Sequence, residues 1–213
     1  MTEGRTTRWL LSCGLVAGPL FTLAYLVEGA ARGDSYNALR HPVSSLALGK
    51  RGWTQVANFL ITGGMVVAFG IGASRVHGVS RWLPRLIEAI GVGLIGAGVC
   101  VTDPIGGYPQ GTPALPRQRS KFGVLHRLFS SFVFLGMPTA FIIEARRGPR
   151  VWAAYSGATC AAFLGSFIAS SAGFAQSAGL SGVGGLFQRL ALCTGFAWVT
   201  VCAARLLRGM TEA

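Results

Sequence analysis

Along this chain, apolar and polar positions alternate on the scale of whole segments. Six continuous apolar runs, approximately 9–30, 53–75, 84–103, 123–145, 151–173 and 184–207, are separated by short stretches where Arg, Gly, Pro and Ser collect. A helix needs ~20 residues to cross a hydrocarbon core, and each run has about that length. Backbone groups in lipid must be paired within their own segment, so continuous runs predict helices. A membrane barrel would need short segments of alternating polarity, which are absent from the pattern. The expectation is an all-α, six-transmembrane-helix bundle, one integral membrane domain over residues 1–213.

Two smaller patterns refine this picture. Glycine is frequent inside the runs, most densely in Gly91-Val92-Gly93-Leu94-Ile95-Gly96-Ala97-Gly98, where small residues let helix backbones approach closely. A short repeat also opens the even-numbered runs: Gly52-Trp53-Thr54-Gln55, Gly123-Val124-Leu125-His126 and Gly185-Leu186-Phe187-Gln188. It suggests three related helical hairpins, with Gln55, His126 and Gln188 at equivalent depth. Chance is a rival explanation for so short a pattern.

Composition agrees with a lipid solvent. The chain is 51% hydrophobic and 12% charged, whereas soluble domains carry about 25% charged residues. The net charge of +12 raises the question of nucleic acid. The arginines form short runs that bracket apolar segments, as in membrane proteins, and no nucleic-acid partner is expected. The five cysteines, Cys13, Cys100, Cys160, Cys193 and Cys202, all fall inside apolar runs without CxxC spacing. They read as small buried hydrophobes, not as a disulfide framework or metal site. Leu10-Leu11-Ser12-Cys13 has the look of a lipoprotein box, but Arg8 leaves no apolar region before it. The first run is long for a signal peptide and is read as a retained span.

Charge also sets an orientation. The two ends, the 2–3 loop and the 4–5 loop hold Arg5, Arg8, Arg75, Arg81, Arg85, Arg146, Arg147, Arg150, Arg205 and Arg208; the other side holds Arg32, Arg40, Lys50, Arg51, Arg117, Arg119 and Lys121. This bias of ten to seven favours a multi-pass cell-membrane protein with both termini in the cytoplasm. The longer loops near 41, 103 and 175–182 then share the outer face, where function is sought.

The chemistry-bearing residues gather on that side. His41 precedes Pro42-Val43-Ser44-Ser45-Leu46-Ala47-Leu48-Gly49, in which Pro42 and Gly49 suit the start and end of a short helix. His41 is either a base or ligand aimed into a pocket, or an interfacial histidine bonding a backbone carbonyl. Asp103 ends the third run before Pro104; a carboxylate there is costly unless paired or wet, with His41, His126, Arg127 or Arg189 as partners. Arg127 and Arg189 lie inside runs, where ionisable groups are functional candidates, although snorkelling is the milder reading. Glu28 stands at the same end, while Glu88 and Arg85 read as a local ion pair. His41, Asp103 and His126 with a water would match zinc's catalytic pattern, but no local spacing supports a metal. There is no Walker A loop, dinucleotide fingerprint or Gly-x-Ser-x-Gly elbow, and no cofactor is named by the sequence.

The run His41–Gly49 with Gly52-Trp53-Thr54-Gln55-Val56-Ala57-Asn58-Phe59 resembles a bacterial membrane-protein family catalogued as domain of unknown function 998. The resemblance continues through Gly96–Val99, Thr102-Asp103-Pro104, Gly107-Tyr108-Pro109, Gly111-Thr112-Pro113 and Leu125-His126, and covers most of the chain. It implies a multi-span helical membrane protein without a settled activity. It also implies a second histidine a turn after position 126, where this chain has Ser130.

The resulting expectation is a polar pocket open to the outer leaflet, with His41, Asp103 and His126 as catalytic core. Ser44, Ser45, Gln55, Tyr108, Arg127, Gln188 and Arg189 are its binding residues. Membrane lipids and a small amphipathic ligand are the expected partners, and proton transfer by a His–Asp pair is the most economical chemistry. The alternative is a transport, sensor or assembly protein whose polar cluster locks the loops.

Overall fold

The computed structural model describes residues 2–115 and 118–210. Six helices carry the chain: α1 (Thr2–Ala31), α2 (Gly52–Ala73), α3 (Trp82–Val99), α4 (Lys121–Arg147), α5 (Arg150–Phe174) and α6 (Gly184–Gly209). All six are long and apolar enough to cross a membrane. No strand occurs among the described residues; an isolated bridge joins Ile105 to Tyr108. Each helix packs on its sequence neighbours, and α1 closes against α6. The result is a ring with two ends. The proximal end holds the termini and the short α2–α3 and α4–α5 turns; the distal end holds the three longer loops.

Small residues set the tightest crossings. A Cβ on Gly63 would meet the Gly91 carbonyl, and one on Gly91 would meet the Gly63 carbonyl, so α2 and α3 touch backbone to backbone. This close packing replaces a hydrophobic driving force that is absent in lipid. Inside the ring, Phe21, Tyr25, Phe69, Phe141, Phe163 and Trp198 are fully buried. Leu23, Ile61, Leu135, Val151 and Ile168 face outward, as apolar residues do when the solvent is lipid.

Two boundaries differ from the apolar pattern. α1 begins at Thr2, seven residues before the first run, because helix formation continues past the end of the greasy stretch. α3 stops at Val99, so Asp103 lies in the loop beyond it and Pro104 is not what ends the helix. A tertiary contact ends it, as described below. The segment after His41 forms a 3₁₀ turn, Val43–Ala47, with Pro42 as its N-cap and Gly49 at φ +78°.

Candidate functional site

At the distal end the conspicuous polar residues separate into two groups. The first is a knot around Arg189 of α6. Its guanidinium is buried and donates to the carbonyls of Ala38, His41 (3.0 Å) and Gly185 (3.0 Å) and to the Tyr36 hydroxyl. The Tyr36 hydroxyl in turn donates to the Pro42 carbonyl at 2.9 Å. Arg189 also lies over the rings of Tyr25 and Tyr36, at 5.7 and 5.6 Å. Its charge is thus dispersed over carbonyl dipoles and aromatic faces. The ion pairs among the described residues are Glu28 with Arg32 and Glu28 with Arg51, so Arg189 and Asp103 do not pair, nor do Glu88 and Arg85.

His41 belongs to this knot. Its Nδ1 accepts the Asn37 amide at 2.9 Å, which places the ring proton on Nε2, 3.2 Å from the Gly106 carbonyl. Its ring meets those of Tyr36 and Tyr108, with centroids 5.4 and 5.3 Å away. Burial pushes the His41 pKa below its usual value, helped by the charges of Arg40 and Arg189 and opposed by the Gly106 bond. Burial likewise pushes Tyr36 upward. The imidazole is held on both nitrogens, so it fastens the first distal loop to the second.

The second group is built around α4. Ser120 caps the helix, its hydroxyl accepting the Gly123 amide at 2.9 Å. Asp103 Oδ2 accepts the Ser120 amide at 3.1 Å, and the carboxylate fills the space beside Gly123 where a Cβ would stand. The partial positive charge of the helix start favours an anion there. One turn on, His126 is buried, with Nδ1 at 2.9 Å from the Ala97 carbonyl and 2.8 Å from that of Cys100. Two acceptors at one nitrogen assign the proton to Nδ1 and leave the Nε2 lone pair free. These bonds satisfy carbonyls at the end of α3, which is why that helix stops at Val99.

His126 lines a cavity of about 700 Å³ inside the distal half of the ring. All six helices contribute to the wall: Phe21, Phe59, Leu94, His126, Phe167 and Leu192 come from α1 to α6 in order. The polar lining lies toward the loops, with Ser44, Thr102, Asp103, Arg119 and Gln188. Gln188 also accepts the Val43 amide at 2.7 Å, which ties the 3₁₀ turn to α6.

The cavity has an open side. Among its lining residues Arg127 and Leu135 on α4, Ser171 on α5 and Ala175 just after it are exposed, Leu135 to 64%. The Phe134 and Phe167 rings stack at 4.5 Å and 16°, and the other α4–α5 ring and hydrogen-bond contacts among the described residues reach from there toward the proximal end. The lining residues nearer the distal loops, on α4 and after α5, include exposed ones, so the cavity opens to the surface on that side.

The predicted residues therefore divide. Asp103, His126, Ser44, Arg127 and Gln188 line the cavity; His41, Arg189 and Tyr108 form the neighbouring knot; Ser45 and Gln55 are buried outside the cavity lining. The Ser45 hydroxyl and the Gln55 amide nitrogen have no partner, although Gln55 accepts from Asn58 at 3.4 Å. No group of three His, Cys, Asp or Glu side chains able to hold a metal forms among the described residues. The pattern did not single out Thr102, Arg119, Ser131, Phe134 and Ser171 as cavity residues, nor Tyr36 as the centre of the knot. A usable signal did exist: His126, Ser130 and Phe134 are spaced i, i+4, i+8, and so share one helix face.

These features define a multi-pass membrane protein: a ring of six spanning helices with a cavity near one end. The chain belongs to the family described as protein of unknown function (DUF998), which matches residues 15–205. No curated protein and no solved structure matches it.

Proposed function

We propose that this protein binds an amphipathic, lipid-like molecule in the distal cavity, admitting it from the bilayer between α4 and α5. The observation that carries the reading is the shape of the cavity: an apolar interior, a polar end at the loops and one side open to the surface of the helix ring. Ligand sites combine apolar walls with a few fixed polar groups in this way. In this reading the distal end is the outer face of a cell membrane, both termini are cytoplasmic, and the ligand's polar end meets His126, Ser44 and Gln188. If the ligand is also processed, His126 Nε2 is the group placed to take a proton, because its other nitrogen is held by α3. Asp103 then acts by holding the start of α4.

The test is native mass spectrometry of the purified protein beside Ser130→Trp, which puts a large ring into the cavity wall. One retained amphiphile per chain, lost in Ser130→Trp with folding intact, supports the reading. Equal retention in both proteins, or none in either, overturns it. A second, non-catalytic role fits the knot, since Arg189, Tyr36 and His41 spend their polar atoms on the chain itself.

A further inference from the structure

We infer that the occupant of the cavity is an anionic lipid, whose negatively charged headgroup is read by Arg119 and Arg127. This rests on the reading of the cavity as a lipid site. The ionised side chains in the lining are Asp103, Arg119 and Arg127. Asp103 already serves the start of α4, through the Ser120 amide and the space at Gly123. The two arginines have no acidic partner among the described residues. The mouth therefore presents two cations against one committed carboxylate, and a headgroup with a net negative charge balances it.

Depth strengthens the argument. Arg127 lies six residues beyond Lys121, roughly 9 Å along a helix that rises 1.5 Å per residue. It stands at the level of the buried His126, beside the opening. A cation carried that far into a span is costly unless it meets a counter-charge or reaches water. A phosphate or carboxylate at the polar end of the cavity supplies the counter-charge, and arginine forms strong, directed bonds to either group. The neutral Ser44, Thr102 and Gln188 add hydrogen-bonding partners, while Phe21, Phe59 and Leu192 offer an apolar surface for a chain. The opening between α4 and α5 lets the rest of the lipid stay in the leaflet. That favours a membrane lipid over a free anion, which would need no apolar interior.

The experiment exposes delipidated protein to equal amounts of phosphatidylglycerol and phosphatidylcholine in mixed micelles and reads bound lipid by native mass spectrometry. A preference for phosphatidylglycerol of about tenfold is expected, as charge-assisted contacts give. Arg119→Gln with Arg127→Gln should bring it near parity while total occupancy holds, and Arg208→Gln at the proximal end should leave it unchanged. Raising the salt on the wild-type protein gives the same test without a variant, and the preference should shrink. No preference in the wild type, or a preference that survives both the double substitution and high salt, overturns the headgroup assignment. Ser130→Trp separates the two ideas: retention of both lipids in that variant overturns the cavity itself, whatever the headgroup preference.

Discussion

The carboxylate of Asp103 stands where a side chain at Gly123 would stand. The two residues are twenty positions apart, and their contact joins the chain leaving α3 to the first turn of α4 through the Ser120 amide. Gly123→Ala should force the carboxylate off this amide and cost about 1–2 kcal/mol, the worth of a helix cap. Asp103→Ala clears the space, so Gly123→Ala made in that background should cost less than it does alone. Thermal unfolding in detergent of the four proteins of this cycle measures the coupling. Full additivity would show that the two residues do not act as a unit.

Arg189 is expected to be the most sensitive position of the distal loops. Arg189→Met leaves the Ala38 carbonyl without its donor and the carbonyls of His41 and Gly185 with one donor fewer, and an orphaned acceptor alone costs about 1–3 kcal/mol. Arg189→Lys should recover only part of the loss, since an ammonium group cannot span the fan of acceptors that a planar guanidinium covers. Tyr36→Phe should be milder, and nearly silent once Arg189 is gone, because the hydroxyl relays that side chain to Pro42. The order of unfolding temperatures in detergent checks this, and a Met variant as stable as wild type would contradict it.

His41 gives the distal loops a dependence on pH with a definite sign. Its folded pKa lies below the unfolded value of about 6.5. The unfolded chain therefore takes up the proton first, and stability falls as pH drops from about 6.5 toward the folded pKa. Protonation would also aim a new N–H at the Asn37 amide, two donors face to face. The quantity to measure is the difference between wild type and His41→Gln, which cancels what the two proteins share. Wild type should lose its advantage between pH 7.5 and 5.5; an advantage constant across that range would remove His41 as its source.

The spans could be read from the chain because lipid leaves one solution for a continuous apolar run. The ends of the spans were harder, since they depend on partners. The end of α3 is capped from another helix: His126 on α4 takes the Ala97 and Cys100 carbonyls. His41 stood out in the sequence as a rare residue in a special stretch, but its partners, the Asn37 amide and the Gly106 carbonyl, are backbone groups that any residue could supply. The three repeated glycines have a common physical cause. An oxygen sits where each Cβ would be: the Ala47 carbonyl at Gly52, the Asp103 carboxylate at Gly123 and the His41 carbonyl at Gly185. The open side was the least legible part, because Arg127 and Ser131 on one helix and Ser171 on another line one cavity only once α4 and α5 are placed side by side.

The width of the opening beside α4 can be tested at Pro138, which lies inside that helix. Pro138 has no amide hydrogen, so the carbonyl of Phe134, four residues earlier, lacks its helical partner and α4 is free to bend there. Phe134, one turn before Pro138, stacks on Phe167 and lines the cavity. Pro138→Ala restores the missing bond, worth about 1 kcal/mol, and the unfolding temperature should rise. A straighter α4 should also draw Arg127 and Ser131 toward Ser171, narrow the opening and lower lipid occupancy several-fold in native mass spectrometry. The two readouts move in opposite directions, which an ordinary destabilising substitution cannot imitate. A more stable variant that retains lipid as well as wild type does would mean that Pro138 does not set the width of the entrance.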